Sequence, residues 1–241
     1  MTVITINQAR HWLKHSPHPL ARLGLATLRR VRQFELPAPA LLYQPLYIVH
    51  RSLGSLLGGA LRVFYWTPLF KSRVARAGKR LYLFGGLPYL SGPLDIRYGD
   101  DCRISGRTTI SGRSASQTTP RLLLGNNIDI GWMTTIAVGH EVRIGNNVRI
   151  AGRAFLAGYP GHPIDAADRA AGLPDRDEQV GDIHIDDDAW LATGVSVMSG
   201  VRIGKRSIIA AGSVVTHDIP DDVLAAGAPA RVVRSLIRED G

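Results

Sequence analysis

From about residue 100 onward, aliphatic residues recur at every sixth position. Ile185, Leu191, Val197, Ile203, Ile209 and Val215 share one phase. Ile144, Ile150 and Leu156 form an earlier run, Leu124, Ile130 and Ile136 another, and Ile104 and Ile110 a weaker start. A small residue commonly follows, as at Gly125, Gly131, Ala137, Gly145, Ala151, Ala192, Gly204 and Ala210. An α-helix repeats every ~3.6 residues and a strand every two, so neither alone produces this aliphatic–small pair. A six-residue period predicts a β-helix, in which one aliphatic side chain per hexad points inward and stacks on its equivalents in adjacent coils. The expected fold class is therefore mainly β. Two departures stand out. Ile136 and Ile144 are eight residues apart, which predicts a local two-residue bulge, and "GYPGHPID" (158–165) leaves the period altogether. An extruded loop is expected at about 158–182.

Residues 1–80 follow a different pattern. "PLARLGLATLRRVRQF" (19–34) places Leu20, Leu23, Leu28 and Val31 at helical spacing, with Arg22, Arg29, Arg30 and Arg32 largely off that stripe. "LLYQPLYIVHRSLGSLLGGALRVFYW" (41–66) is more apolar and aromatic, but Pro37, Pro39 and Pro45 interrupt its start and Arg51 and Arg62 the rest. A membrane span needs about 20 mostly apolar residues, so none is expected here. No short basic region followed by an apolar run begins at Met1, so a signal peptide is not expected either.

Charge sharpens the division. Residues 1–80 hold 13 Lys and Arg against one acid, Glu35, whereas residues 81–241 hold 16 against 19 Asp and Glu. The boundary falls near Lys79–Leu83, giving a basic amphipathic helical segment (1–80) and a β-helix domain (81–241). Basic amphipathic helices with aromatic residues suit an anionic membrane surface. Packing as a cap on the main domain or on a neighbouring subunit is the alternative. No nucleic-acid-binding module is present in the pattern.

Candidate chemistry is sparse. A lone cysteine, Cys102, allows no internal disulfide and no cysteine metal set, and reads as a packed thiol. His162 lies in the interrupting loop, where a side chain reaches outward, and imidazole side chains ordinarily titrate at about pH 6.5. His140, His184 and His217 read as surface or corner residues. The even spacing of His140, His162 and His184 raises a zinc site, but no close histidine pair accompanies His162, so no metal is expected.

"IGNNVRIAGRAFLAGYPGHP", "IHIDDDAWLATGVSVMSGVRIG" and "IIAAGSVVTHDIPDDVLAAGAPARVVRSL" resemble the hexapeptide-repeat O-acetyltransferases, in particular the galactoside and maltose acetyltransferases and the sugar acetyltransferases of exopolysaccharide assembly. The resemblance covers about residues 100–236 and leaves residues 1–80 without a counterpart in the galactoside enzymes. It implies a left-handed parallel β-helix, a homotrimer, and acetyl-CoA as acyl donor; a short C-terminal helix is expected to end the chain. His162, followed by Pro as in the family motif, falls at the catalytic histidine. Thr193 matches the position whose backbone N–H approaches the thioester, and Trp190 would line the channel beside it. Ala211 and Thr216 match contacts to the pantetheine arm, and Arg231 and Arg234 positions near the nucleotide phosphates. Met133 stands where galactoside-type relatives carry a sugar-binding asparagine, so a simple galactoside acceptor is disfavoured. Trp132 offers a stacking face, and Asp165 or Asp168 could orient the imidazole or bind sugar.

The function so implied is acetyl transfer to a sugar hydroxyl of a polysaccharide or lipid-linked glycan precursor, at the cytoplasmic face of a bacterial inner membrane. Two alternatives remain open: transfer to a soluble small molecule (an antibiotic, serine or a nucleotide amino sugar), or a catalytically silent β-helix scaffold.

Overall fold

The computed structural model describes residues 5–237, and its contacts group into one unit up to Leu53 and another from Gly54 on. In the first unit, α1 (Ile6–His15) is opened by a capping box. Gln8 N donates to Thr5 Oγ1 at 3.3 Å, and Thr5 N donates to Gln8 Oε1 at 2.9 Å. α2 (Pro19–Arg32) begins with Pro19 in its first turn, and Leu20 N donates to His18 Nδ1. The two helices approach closely at Gly24, where an added Cβ would stand 2.9 Å from Leu13 Cδ2. Ala21 is fully buried, but Leu20, Leu23, Leu28 and Val31 stay exposed. The predicted apolar stripe therefore forms without being covered.

α3 (Ala40–Leu61) contains Pro45 in its second turn instead of stopping before it. It runs on through a π-turn (Arg62–Trp66) into α4 (Thr67–Lys71). The π-turn ends two residues before Pro68, whose missing N–H cannot close an ordinary helical bond. Among the described residues no helix is long and apolar enough to cross a membrane.

From Arg76 the chain winds as a parallel β-helix, and successive strands join three sheets in strict rotation. The first face holds Arg76–Ala77, Asp95–Tyr98, Arg121–Leu124, Glu141–Ile144, Ile183–Ile185 and Arg202–Ile203. The second holds Tyr82–Phe84, Arg103–Ser105, Asp129–Ile130, Arg149–Ile150, Trp190–Leu191 and Ile208–Ile209. The third holds Tyr89–Ser91, Thr109–Gly112, Thr135–Val138, Phe155–Ala157, Ser196–Met198 and Val214–Val215. The six-residue period is thus one strand and one corner. Its aliphatic residues stack in register, as Ile130, Ile150, Leu191 and Ile209 do on the second face, and all four are buried. At the N-terminal end Phe70, 1% exposed, covers the core against Tyr98, their ring centroids 6.1 Å apart.

The corner between the first and second faces is a ladder of Asn and Asp. Asn126 Nδ2 donates to Asn146 Oδ1, and Asn146 Nδ2 to Asp187 Oδ1. Asn127, Asn147 and Asp188 form a parallel row, each with positive φ between 52° and 63°. Asn and Asp tolerate this left-handed conformation better than other side chains.

The expected C-terminal helix is not formed. Val223–Gly227 joins the second sheet and folds back antiparallel onto Ala230–Ser235. Gly227 takes φ +105° at the turn, and the open edge of the sheet supplies the backbone partners that the segment would otherwise find in a helix. Val232 and Val233 are β-branched and suit a strand.

Candidate functional site

The two long excursions from the β-helix leave the same corner, between the third and first faces. Residues 113–120 follow strand Thr109–Gly112, and residues 158–182 follow Phe155–Ala157 two coils later. Between them the predicted bulge near His140 proves to be a slightly lengthened turn at this same corner. The longer loop is closed at its base, where Gly158 N donates to Ala137 O and Gly181 N to Gly158 O. It carries a short helix, α5 (Ala166–Ala170), capped by Asp165, whose Oδ1 accepts from Asp168 N at 2.9 Å. Asp165 thus holds the loop's own backbone, and Asp168 pairs with Arg176. His162 is exposed on the stretch before α5, with its carbonyl accepting from Gln179 Nε2 at 3.4 Å.

What fixes this loop was not anticipated from sequence. Arg113, from the shorter excursion, donates through Nε to Asp175 Oδ1 at 2.8 Å and through Nη2 to the Asp175 carbonyl at 2.6 Å. Its Nη1 reaches Asp177 Oδ1. The Arg113 and Asp175 side chains are only 3% and 4% exposed. Burial opposes the charge on Arg113, but bonds and charges from Asp175 and Asp177 outweigh it and hold the guanidinium above its usual range. The other oxygen of Asp175 accepts from Gly161 N at 3.1 Å, one residue before His162. Tyr159 OH also bonds Ser111 Oγ at 2.9 Å.

The corner between the second and third faces gathers another predicted group. Counting two residues beyond the stacked Ile130, Ile150, Leu191 and Ile209 gives Trp132, Gly152, Thr193 and Ala211 in one column. The next residues, Met133, Arg153, Gly194 and Gly212, all take positive φ, and each of the last three donates its N–H to the column residue of the coil before. At the corresponding position of the first corner, the N–H groups of Asp100, Asn126 and Asn146 donate to an Asx side chain of the next coil. The second corner has no such side chain. Among the described residues the N–H groups of Thr193 and Ala211 have no acceptor, while those of Ala192, Gly194, Ala210 and Gly212 all do. Trp132 is 44% exposed, its ring against Gly152 and 4.9 Å below the Arg153 guanidinium. Met133 is 49% exposed.

The remaining predicted donor residues are distributed more widely. Trp190, 48% exposed, shares an outward column of the second face with Ile208, Leu224 and Arg234. Arg231, on the same hairpin strand as Arg234, is exposed and donates to its own neighbour's carbonyl, Ala230 O. Thr216 follows Val215 on the third face and pairs with His217 at 2.9 Å. Cys102 is fully buried, and burial pushes its thiol up. No group of three or more His, Cys, Asp or Glu side chains among the described residues could hold a metal ion.

A hexapeptide β-helix with an anchored outward loop and one corner of open backbone donors defines the class. Residues 182–217 match the family described as bacterial transferase hexapeptide (six repeats), and part of the chain is similar to galactoside O-acetyltransferases. It is 42% identical over 119 residues to putative acetyltransferase YJL218W of Saccharomyces cerevisiae, covering 49% of this chain and 58% of that protein. To the galactoside O-acetyltransferase of Escherichia coli it is 38% identical over 117 residues, 48% of this chain and 55% of that one. The chain thus spans little more than half the length of these relatives. Among solved structures, AntD, an N-acyltransferase from Bacillus cereus in complex with dTDP and 3-hydroxybutyryl-CoA, superimposes with a TM-score of 0.57 at 15% identity over 73% of this chain and 90% of that one. The fold is the left-handed parallel β-helix.

Proposed function

We propose that this protein is an acetyl-CoA-dependent O-acetyltransferase acting on a sugar hydroxyl of a polysaccharide or lipid-linked glycan. The observation that carries the reading is an exposed imidazole on an anchored loop in a β-helix that also leaves the corner N–H groups of Thr193 and Ala211 open. A sugar hydroxyl is a weak acid and a thioester carbonyl a modest electrophile, so the reaction needs a base, oxyanion donors and alignment. His162 takes the hydroxyl proton as the oxygen attacks the thioester carbon. The Thr193 N–H donates to the oxyanion that develops. When the C–S bond breaks, the imidazolium returns its proton to the sulfur, releasing free CoA and the acetyl ester. Ala211 N–H and Thr216 serve the pantetheine arm, Trp190 flanks it, and Arg231 and Arg234 serve the phosphates through charge-assisted bonds. Trp132 and Met133 border the acceptor.

In one chain the His162 loop and the Thr193 column occupy different corners of the coil. A homotrimer, in which one copy's loop meets another's corner, would complete the site. Support for peripheral placement at the cytoplasmic face of a membrane comes from the uncovered side chains of Leu20, Leu23, Leu28 and Val31 beside arginines, and of Leu41, Tyr47, Leu53 and Leu56 on α3. Retention of purified protein on phosphatidylglycerol vesicles, lost in high salt, is the expected result, and absence of binding removes that placement.

The central test is acetyl-CoA turnover by wild type and His162→Ala. Loss of a general base costs about 10²–10⁴-fold. Equal rates would remove His162 from the chemistry, and failure of the protein to bind acetyl-CoA would favour a scaffold.

A further inference from the structure

We infer that Arg113 and Asp175 are positioning residues that hold the His162 loop in its working geometry. The inference rests on the role proposed above for His162. Both residues lie in segments that break the repeat, yet both side chains are almost completely buried. A buried ion pair is not a cheap way to stabilise a loop, since hydrophobic packing commonly does as well. What the pair provides is direction. The planar guanidinium bonds the Asp175 carboxylate and carbonyl together, which fixes the orientation of that residue. The remaining carboxylate oxygen is thereby aimed at Gly161 N, one residue before His162. Gly161 itself takes φ +80°, a conformation open to glycine, so this peptide needs an outside bond to keep its orientation. The chain of contact therefore runs from the body of the β-helix, through Arg113 N bonded to Val138 O, to Asp175 and on to Gly161 N, one residue before the histidine. The loop is also held at its base by Gly158 and Gly181 and by Tyr159 OH on Ser111 Oγ, but near His162 the other ties are weaker: Asp168–Arg176 is a surface pair, and Gln179 reaches the His162 carbonyl only at 3.4 Å.

The test compares full-length wild type, Asp175→Asn, Arg113→Lys, the double variant Arg113→Met/Asp175→Leu, and His162→Ala. The probe is acetyl-CoA, with hydrolysis or transfer to p-nitrophenyl glycosides as readout, alongside hydrogen exchange of the 158–182 amides. A misplaced catalytic group can lower the rate by about 10²-fold. Asp175→Asn and Arg113→Lys are expected to lose roughly 10–100-fold in kcat. Their KM for acetyl-CoA should stay within about twofold, because the donor positions lie at another corner. Exchange in 158–182 should rise at least tenfold while the coils remain protected. The double variant should lose no more than either single one, since both break one unit. The two single variants guard against one of them failing to fold. A folded Asp175→Asn or Arg113→Lys with unchanged kcat and unchanged loop exchange overturns the inference, as does a kcat loss without loosening of the loop. If His162→Ala is fully active, the role of His162 fails instead. Exchange then still decides whether the pair holds the loop.

Discussion

Tyr98 gives the sharpest stability prediction. It is 3% exposed at the end of strand Asp95–Tyr98, and its buried hydroxyl has no hydrogen-bond partner among the described residues. Burial first, and the neighbouring Cys102 second, push the phenol up from 10.0 to about 12. The perturbation is Tyr98→Phe, which keeps the ring against Phe70 and removes only the hydroxyl. An unpaired buried hydroxyl costs ~1–3 kcal/mol, so at pH 8 the variant should be more stable than wild type by up to about that amount. The alkaline behaviour differs more clearly. The folded pKa is raised above the unfolded one, so the contribution of Tyr98 is intact below about pH 10 and is lost as the pH climbs towards 12. At pH 11 the wild type should have lost about 1 kcal/mol through this group, and about 3 kcal/mol once both forms titrate. Urea unfolding followed by tryptophan fluorescence at pH 8 and pH 11, in both proteins, isolates the effect, because the exposed tyrosines cancel in the difference. The reasoning fails if Tyr98→Phe destabilises by more than about 1 kcal/mol at pH 8, which would mean the hydroxyl has a partner. It also fails if both proteins lose the same stability between the two pH values.

Three further outcomes follow from the same geometry. Asn146→Ala removes two bonds from Asn126 and one to Asp187, and at ~0.5–1 kcal/mol each should cost about 1.5–3 kcal/mol in urea unfolding. Gly158→Ala would put a Cβ 2.6 Å from Ala137 O at the base of the loop, and should cost ~1–3 kcal/mol and raise exchange in 158–182. Trp190→Ala should leave the urea midpoint nearly unchanged, because the ring is 48% exposed, while KM for acetyl-CoA rises about tenfold and kcat changes little.

The β-helix was legible because stacking imposes one inward aliphatic residue per strand, and that demand survives in the sequence wherever the coil is regular. Its failures occur where the backbone's partners are distant. The Ala-rich stretch before Arg231 has no periodicity that distinguishes a last helix from a strand, and the open sheet edge decides it. Pro45 reads as a break but sits early in α3, where few helical bonds precede it. Arg113 and Asp175 are 62 residues apart, in segments that share no pattern. Only the register of the coils brings their two loops to the same corner. Asp165, by contrast, stands before "AADRA" in an N-cap pattern, and the helix it caps accounts for it without a substrate.

The three corners of the coil also explain why chemistry can reside in so regular a fold. At the first corner each Asx side chain accepts a neighbouring N–H, so the backbone is satisfied and presents little to a ligand. At the second corner the same position is filled by Trp132, Gly152, Thr193 and Ala211, none of which offers an Asx acceptor to the coil before. The N–H groups of Thr193 and Ala211 are thereby left without an acceptor among the described residues, on adjacent coils about 4.8 Å apart. On the proposed reading, an extended acyl donor lying along that corner would meet these two groups in turn. The third corner is where the repeat tolerates insertion, and there the buried Arg113–Asp175 pair turns an excursion into a fixed support for His162. A single β-helix keeps these two kinds of group apart, since a whole face separates the corners. On the proposed reading, association of copies is therefore part of the chemistry: dilution or interface mutation that yields folded monomers should abolish turnover while leaving the Arg113–Asp175 lock, and the loop's exchange protection, in place.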